Sequence, residues 1–212
     1  MSIADDFIAV LQHNAGRLTP TQAMDLILAK ARRHTFSEAG STFIVRPYDG
    51  EPETLQAMTM QNDSLQLDPQ NFAMPIDLKS IAGYVAQTGE SVLIDDLYDI
   101  PGGVPFTFNR SFDDKTHYRS MSMLAFPLKN FYGRVIGVVQ LINHIDGVGD
   151  DGKPIYHPFT LQHQEDMESL STIIGAMVER IDLIHEIERL RKNSGEESLE
   201  EAMKDDSDQW SS

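Results

Sequence analysis

Ser80-Ile-Ala-Gly-Tyr-Val-Ala-Gln-Thr-Gly-Glu-Ser-Val-Leu-Ile-Asp-Asp96 is the stretch whose reading decides the fold. Leu78-Lys-Ser80 leads into a short apolar helix, Ile81 to Thr88, and Gly89 sits in the usual position past a helix C-terminus. Ser91-Val-Leu-Ile then reads as a strand. Further on, Tyr118-Arg-Ser-Met-Ser-Met-Leu-Ala-Phe-Pro-Leu128 and Gly137-Val-Val-Gln-Leu-Ile-Asn143 carry the two most apolar strands, Met121 to Leu128 and Arg134 to Asn143. Phe131-Tyr-Gly133 is the turn that pairs them antiparallel. Between helix and strands lies Asp95 to Thr116, a polar loop long enough to be functional rather than connective. A small helix, a loop rich in hydroxyls and carboxylates, and two buried strands are expected to form the walls and lid of a pocket.

Working outward, Ile3, Phe7, Val10 and Leu11 recur at helical spacing and predict an N-terminal helix within residues 1–18. Thr19-Pro20-Thr-Gln22 is a helix start: Thr19 caps, Pro20 tolerates the first position and Gln22 completes a capping box. Met24, Ile27, Leu28 and Ala31 are the buried stripe of that second helix. Ser41 to Arg46 reads as a strand, and Tyr48-Asp-Gly-Glu-Pro as a turn. Thr54 to Gln61 is the partner strand, with Leu55, Ala57, Thr59 and Gln61 on one face and Met58 and Met60 on the other. Phe72 to Ile76 is an edge strand, confined to a sheet margin by Pro75. A polar loop is expected from Ile145 to Pro158. The last helix starts near Leu161, and its stripe through Leu170, Ile174, Met177, Ile181 and Ile184 to Leu190 runs on for roughly five turns. That is more than one face of a small domain requires, so the helix is expected to project and pair in a homodimer. The order of elements is α+β: an antiparallel sheet of about six strands with helices on both sides. The expected units are an N-terminal helix at 1–18, a domain at 19–192 that includes the long helix, and a disordered acidic tail at 193–212.

Composition removes several functions. The formal charge of -16 disfavours a nucleic-acid or anionic-membrane partner, because phosphate binding needs clustered Lys and Arg. The absence of cysteine excludes disulfides, thiolate metal sites, cysteine nucleophiles and thioether-linked chromophores together. Neither a secretory leader nor an apolar run of membrane-spanning length is read, so a cytoplasmic protein is expected. The histidines show no metal-binding spacing, no phosphate loop or paired general acid and base is found, and no cofactor or enzymatic activity is expected.

The motifs at Ile81-Ala82-Gly83, at Asp113-Asp114-Lys115-Thr116-His117-Tyr118-Arg119-Ser120 and at Asn143…Phe159 occur in an order that resembles GAF domains, the small-molecule-sensing modules of signalling proteins. The likeness spans about residues 20 to 190. It is strongest to the cyclic-nucleotide-binding modules of phosphodiesterases and to those preceding bacterial HD-GYP phosphohydrolase domains. In the phosphodiesterase pattern a serine opens the first central strand, as Ser41 does, and the helix over the purine carries Gly-Ile-Ala-Gly, with Ser80 replacing the first glycine here. The family's acidic residue on the last strand is Gln140, and its acid-and-aromatic pair on the hairpin is Met60-Gln61. In its Asn-Lys…Phe…Asp-Glu signature His144 stands for the lysine, and Glu165 and Asp166 lie two positions late.

The resemblance implies a regulatory domain binding a cyclic nucleotide or similar ligand, with an output domain outside this chain. Ser41, Ser80, Ile81, Ala82, Phe108, Phe112, Asp113, Thr116, Ser120 and Gln140 are the expected ligand-binding residues. Physically, the helix start at Ser80 offers unpaired backbone N–H groups and a positive dipole end to an anion. The phenylalanines can close over a flat base. A second reading stands beside it: Phe106, Phe108, Phe112 and Met60 fill the pocket, leaving a ligand-free dimerisation module.

Overall fold

The computed structural model describes residues 7, 18–48, 51–69 and 72–194. Helix α1 (Pro20–Thr35) opens on the expected box: the Gln22 amide N–H donates to Thr19 Oγ1 at 3.2 Å, and the Thr19 N–H to Gln22 Oε1 at 2.9 Å. Strands β1 (Ser37–Tyr48), β2 (Glu51–Asn62) and the edge strand β3 (Ala73–Pro75) follow. Helix α2 (Ile81–Thr88) is bounded by Ser80 and Gly89, as its sequence dictates, with Gly89 at φ 70°. Strand β4 (Val92–Ile94), helix α3 (Ser111–Thr116) within the lid, and strands β5 (Met123–Lys129) and β6 (Val135–Val148) complete the core. Strand β7 (Pro154–His157) precedes the 34-residue helix α4 (Leu161–Ser194).

The sheet is antiparallel, in the order β3-β2-β1-β6-β5-β4, and β7 pairs with the far end of β6. Residues 145–158 are therefore not all loop: β6 outruns its predicted end and β7 doubles back on it, pairing Ile145 with Tyr156. Asn143 adopts φ 59° on the way, a left-handed conformation that asparagine tolerates better than most residues.

Strand alternation sorts the side chains into two cores. Leu124, Phe126 and Leu128 of β5 and Val139 and Leu141 of β6 face α1 and α4, where Met24, Leu28, Leu170 and Ile174 are buried with them. Their neighbours Met123, Ala125 and Val138 face the other way, against Ile81, Ala82 and Val85 of α2 and Leu97 and Phe106 of the lid. Helix α4 lies close against β5, because Gly175 presents no side chain to the Lys129 carbonyl that a methyl would strike. The faces of β2 differ from expectation. Thr42 pairs with Thr59 but Phe43 with Ala57, so Met58 is an extra residue and the alternation inverts beyond it. Met60, paired with Ser41, joins Leu55 and Ala57 on the lid side; Gln61 turns to α1 and donates to the Asp25 carboxylate at 2.8 Å.

Among the described residues no helix is long and apolar enough to cross a membrane. The 1–18 helix and the acidic tail fall almost wholly outside the described residues. Phe7 is described, and it is buried against the α1 side of the core.

Candidate functional site

Between the sheet and the lid lies a cavity of about 290 Å³. Its floor is the lid-facing side of the central strands: Ser41 and Phe43 of β1, Met123 of β5, Gln140 and Ile142 of β6. Its roof is Phe108, Phe112 and Tyr118, and Leu67, Phe72 and Met74 close one flank. Ser41 and Gln140 are register partners, and the Ser41 hydroxyl donates to Gln140 Oε1 at 3.3 Å. Among the described residues the Gln140 amide N–H₂ has no hydrogen-bond partner, which leaves two donors at the floor of an otherwise apolar chamber.

The lid is pinned by a buried carboxylate. Asp113 Oδ2 accepts from the Tyr98 hydroxyl at 2.9 Å and the Ser120 N–H at 2.8 Å, and its Oδ1 from the Ser120 hydroxyl at 2.8 Å. These bonds tie α3 to the start of β5. Arg119 and Arg110 stack on the Tyr98 ring at 3.8 and 4.3 Å from its centroid, and Arg110 also donates to the Tyr98 carbonyl. Burial first, and then the bond to Asp113, push the Tyr98 hydroxyl above its ordinary pKa.

A second buried carboxylate sits beside the roof. Glu38 Oε2 accepts from the Tyr118 hydroxyl at 2.7 Å and the Asn143 amide at 2.9 Å, and its Oε1 from the Tyr156 hydroxyl at 2.9 Å and the Ser64 hydroxyl at 3.3 Å. One residue of β1 thus joins the lid, the bend in β6, β7 and the segment after β2. Burial and the Glu38 carboxylate together raise both phenols, Tyr156 to about 12. The neutral Tyr118 hydroxyl belongs to the cavity roof as well as to this network.

Of the residues expected from sequence, Ser41, Phe108, Phe112, Asp113, Ser120 and Gln140 meet at this one cavity. Asp113 and Ser120 spend their bonds on each other. Ser80, Ile81, Ala82 and Thr116 lie outside the wall. Ser80 caps α2, its hydroxyl accepting from Gly83 N–H at 3.0 Å, and Ile81 and Ala82 are packed in the core. Thr116 serves the end of α3, donating to the Phe112 carbonyl at 2.8 Å. Phe106 is core, edge-on to Tyr84 at 5.1 Å, rather than a cavity plug. The residues at the late signature positions bond elsewhere. His144 Nδ1 bonds the Thr35 carbonyl at 2.8 Å, while Asp166 of α4 pairs with His34 of α1 at 2.7 Å. Glu38, Tyr98 and Tyr118 were not singled out as site residues from sequence. Their partners lie up to 118 positions away, beyond any local pattern.

A curled antiparallel sheet with a long helix behind it and a cavity under the lid in front is the architecture these elements define. Residues 19–178 match the GAF domain family, and the chain belongs to it. It is 35% identical over 111 residues to the probable 3',5'-cyclic phosphodiesterase pde-5 of Caenorhabditis elegans, a match covering 52% of this chain and 13% of that protein. It is 43% identical over 67 residues to the dual 3',5'-cyclic-AMP and -GMP phosphodiesterase 11 of Drosophila melanogaster, covering 32% of this chain and 4% of that protein. The matched regions are thus small parts of both relatives. Among solved structures, the GAF domain of a phosphoenolpyruvate-protein phosphotransferase from Coxiella burnetii superposes with TM-score 0.62 at 14% identity, over 86% of this chain and 94% of that one. The free methionine-R-sulfoxide reductase of Neisseria meningitidis, solved with its substrate, gives TM-score 0.60 at 15% identity, over 86% and 89%. These likenesses are of fold.

Proposed function

We propose that this chain is a regulatory domain that binds a small molecule in the cavity between sheet and lid, and relays occupancy through α4. The cavity is the observation that carries the proposal: Phe108 and Phe112, which could have plugged it, line it instead, leaving about 290 Å³. A domain of this kind acts only through different affinities of the ligand for two arrangements of lid and helix. The chain itself is read as non-enzymatic and cytoplasmic, with its output domain elsewhere. Cysteine-based sulfoxide reduction is closed to it, as the sequence holds no cysteine. Homodimerisation through α4 belongs to the same proposal, supported by Leu183, Ile187 and Leu190, which expose an apolar stripe at spacings of four and three. A dimerisation module with no ligand is the second reading, and that stripe is the observation in its favour.

The names of the two phosphodiesterase relatives make cyclic nucleotides the first ligands to try, but the geometry lends them less support than it lends a small molecule in general. The backbone amides at Ser80 to Gly83, expected to receive a phosphate, lie outside the cavity wall. The test is a thermal-shift screen of cyclic nucleotides and common metabolites, followed by amide hydrogen exchange. A binder should slow exchange across residues 95–117 while strands β5 and β6 change little. Lid amides that exchange as slowly as those of β5 and β6 without any ligand would count against a gated pocket.

A further inference from the structure

We infer that the ligand of this cavity is an uncharged, flat, mainly apolar molecule of about two fused rings, and that the site rejects anions. The inference rests on the small-molecule reading above and narrows it to a chemical class.

Charge is the first ground. Among the described residues of the wall there is no Lys, Arg or His. The two ionisable acids at the cavity are Asp113, buried to 3% exposure, and Asp68 at its exposed margin. Among the described residues Asp113 is held by three neutral donors, and the nearby Arg110 and Arg119 stack on Tyr98 rather than bonding the Asp113 carboxylate. A phosphate or carboxylate entering the chamber would lose its water, find no cation and face a carboxylate across a medium of low polarity. An ammonium fares little better, because Tyr98 and Ser120 already occupy most of the acceptor positions on Asp113.

Shape is the second ground. An apolar cavity of about 150 Å³ holds one benzene ring, and this one is about 290 Å³. Phe108, Phe112 and Tyr118 above and Phe43 below provide aromatic surfaces for a planar ligand. One polar group is served by the Ser41–Gln140 pair. With Gln140 Oε1 taken by Ser41, its N–H₂ donates to a ligand acceptor; with the amide turned over, its oxygen accepts from a ligand N–H.

Methionine methyl NMR reads the site directly. Met60, Met74 and Met123 line the cavity, whereas Met24 and Met167 are buried on the opposite side of the sheet. The probes are indole, its anionic relative indole-3-acetate, its cationic relative tryptamine, and cyclic AMP and cyclic GMP. Indole should shift the three cavity methyls saturably and leave the other two in place. Its midpoint should be at least about ten-fold lower than those of indole-3-acetate and either nucleotide, with tryptamine between. A Ser41→Phe variant, which fills the floor, should lose the indole shifts while Met24 and Met167 keep their folded positions. Tighter binding of indole-3-acetate or a cyclic nucleotide at the same three methyls would overturn the charge inference and leave the small-molecule sensor standing. Binding of no probe at these methyls would overturn the inference; if the metabolite screen were also empty, the sensor reading would fall with it.

Discussion

The Glu38 carboxylate draws four donors from four different parts of the chain, and none of them carries a positive charge. A buried anion is tolerable here because hydroxyl and amide dipoles replace its hydration. The same dipoles tie the lid to the sheet, since the Tyr118 ring is part of the cavity roof. The linkage has a definite sign. Tyr156 is raised to about 12 and Tyr118 is raised as well, so the stability these phenols contribute is complete below the unfolded value of 10.0 and is lost as the pH climbs through their folded values. Glu38→Gln removes the carboxylate but not the burial. Tyrosinate absorbance followed against pH should then show both phenols titrating at lower pH than in the wild type, though still above 10.0. Glu38→Ala should cost roughly 1–3 kcal/mol in denaturant unfolding for each buried donor left without a partner. Unchanged phenol titration in Glu38→Gln would contradict the network.

At the scale of the element, α4 does two jobs along its length. Its first half is fastened to the sheet: Met167, Leu170, Ile174 and Val178 are buried, and the Ser171 hydroxyl reaches the Pro127 carbonyl. Beyond Val178 the described apolar residues turn outward, with Leu183 59%, Ile187 51% and Leu190 55% exposed. The side chains of Ile181 and Ile184, on which the sequence expectation of a dimer leaned, lie outside the described residues. Leu183→Asp with Ile187→Asp should therefore leave the fold and its far-ultraviolet circular dichroism intact, and convert a dimer to a monomer in sedimentation at tens of micromolar, on the order of ordinary transient affinities. A wild-type chain that sediments as a monomer there would remove dimerisation from the proposed function.

Over the whole molecule, the two layers of helix and sheet meet at a corner made of histidines. His34 of α1 pairs with Asp166 of α4, and the His144 ring lies 4.7 Å from that of His163. Burial, and then the neighbouring His144 and His34, lower the pKa of His163. Burial alone would raise Asp166, but its bonds from His34 and Gln162 outweigh it and hold the carboxyl low. Both shifts act in one direction. As pH falls below 6.5 the unfolded His163 binds a proton that the folded one resists, and at lower pH the stability contributed by Asp166 is lost as the pH falls through its folded value. The Tm of the wild type should fall on acidification from about pH 7.5 to about pH 5, and His163→Gln should flatten that fall in a series of thermal melts. Equal pH slopes for the two proteins would place the acid sensitivity elsewhere.

Sequence alone determined what short-range chemistry can specify. The Thr19–Gln22 box, the Ser80 and Gly89 bounds of α2, the edge position forced by Pro75 and the alternating apolar runs of β5 and β6 are encoded within a few residues of where they act. So is the absence of thiol chemistry, and the order of the motifs at Ile81-Ala82-Gly83, at Asp113 to Ser120 and at Asn143…Phe159 was enough to point to the GAF fold. Tertiary structure alone decided the rest. The extra residue at Met58 shifts the faces of β2 because pairing with β1, not propensity, sets its register. Strand β7 is short and mostly exposed, and it forms because β6 extends to receive it. Asp113 and Glu38 look like solvated acids in the sequence; they are buried because their donors come from Tyr98, Ser120, Tyr118, Asn143 and Tyr156. Gln140 could have faced either way along its strand. Its inward position follows from packing Val139 and Leu141 against the helices, since burying those two apolar side chains obliges the residue between them to face the cavity.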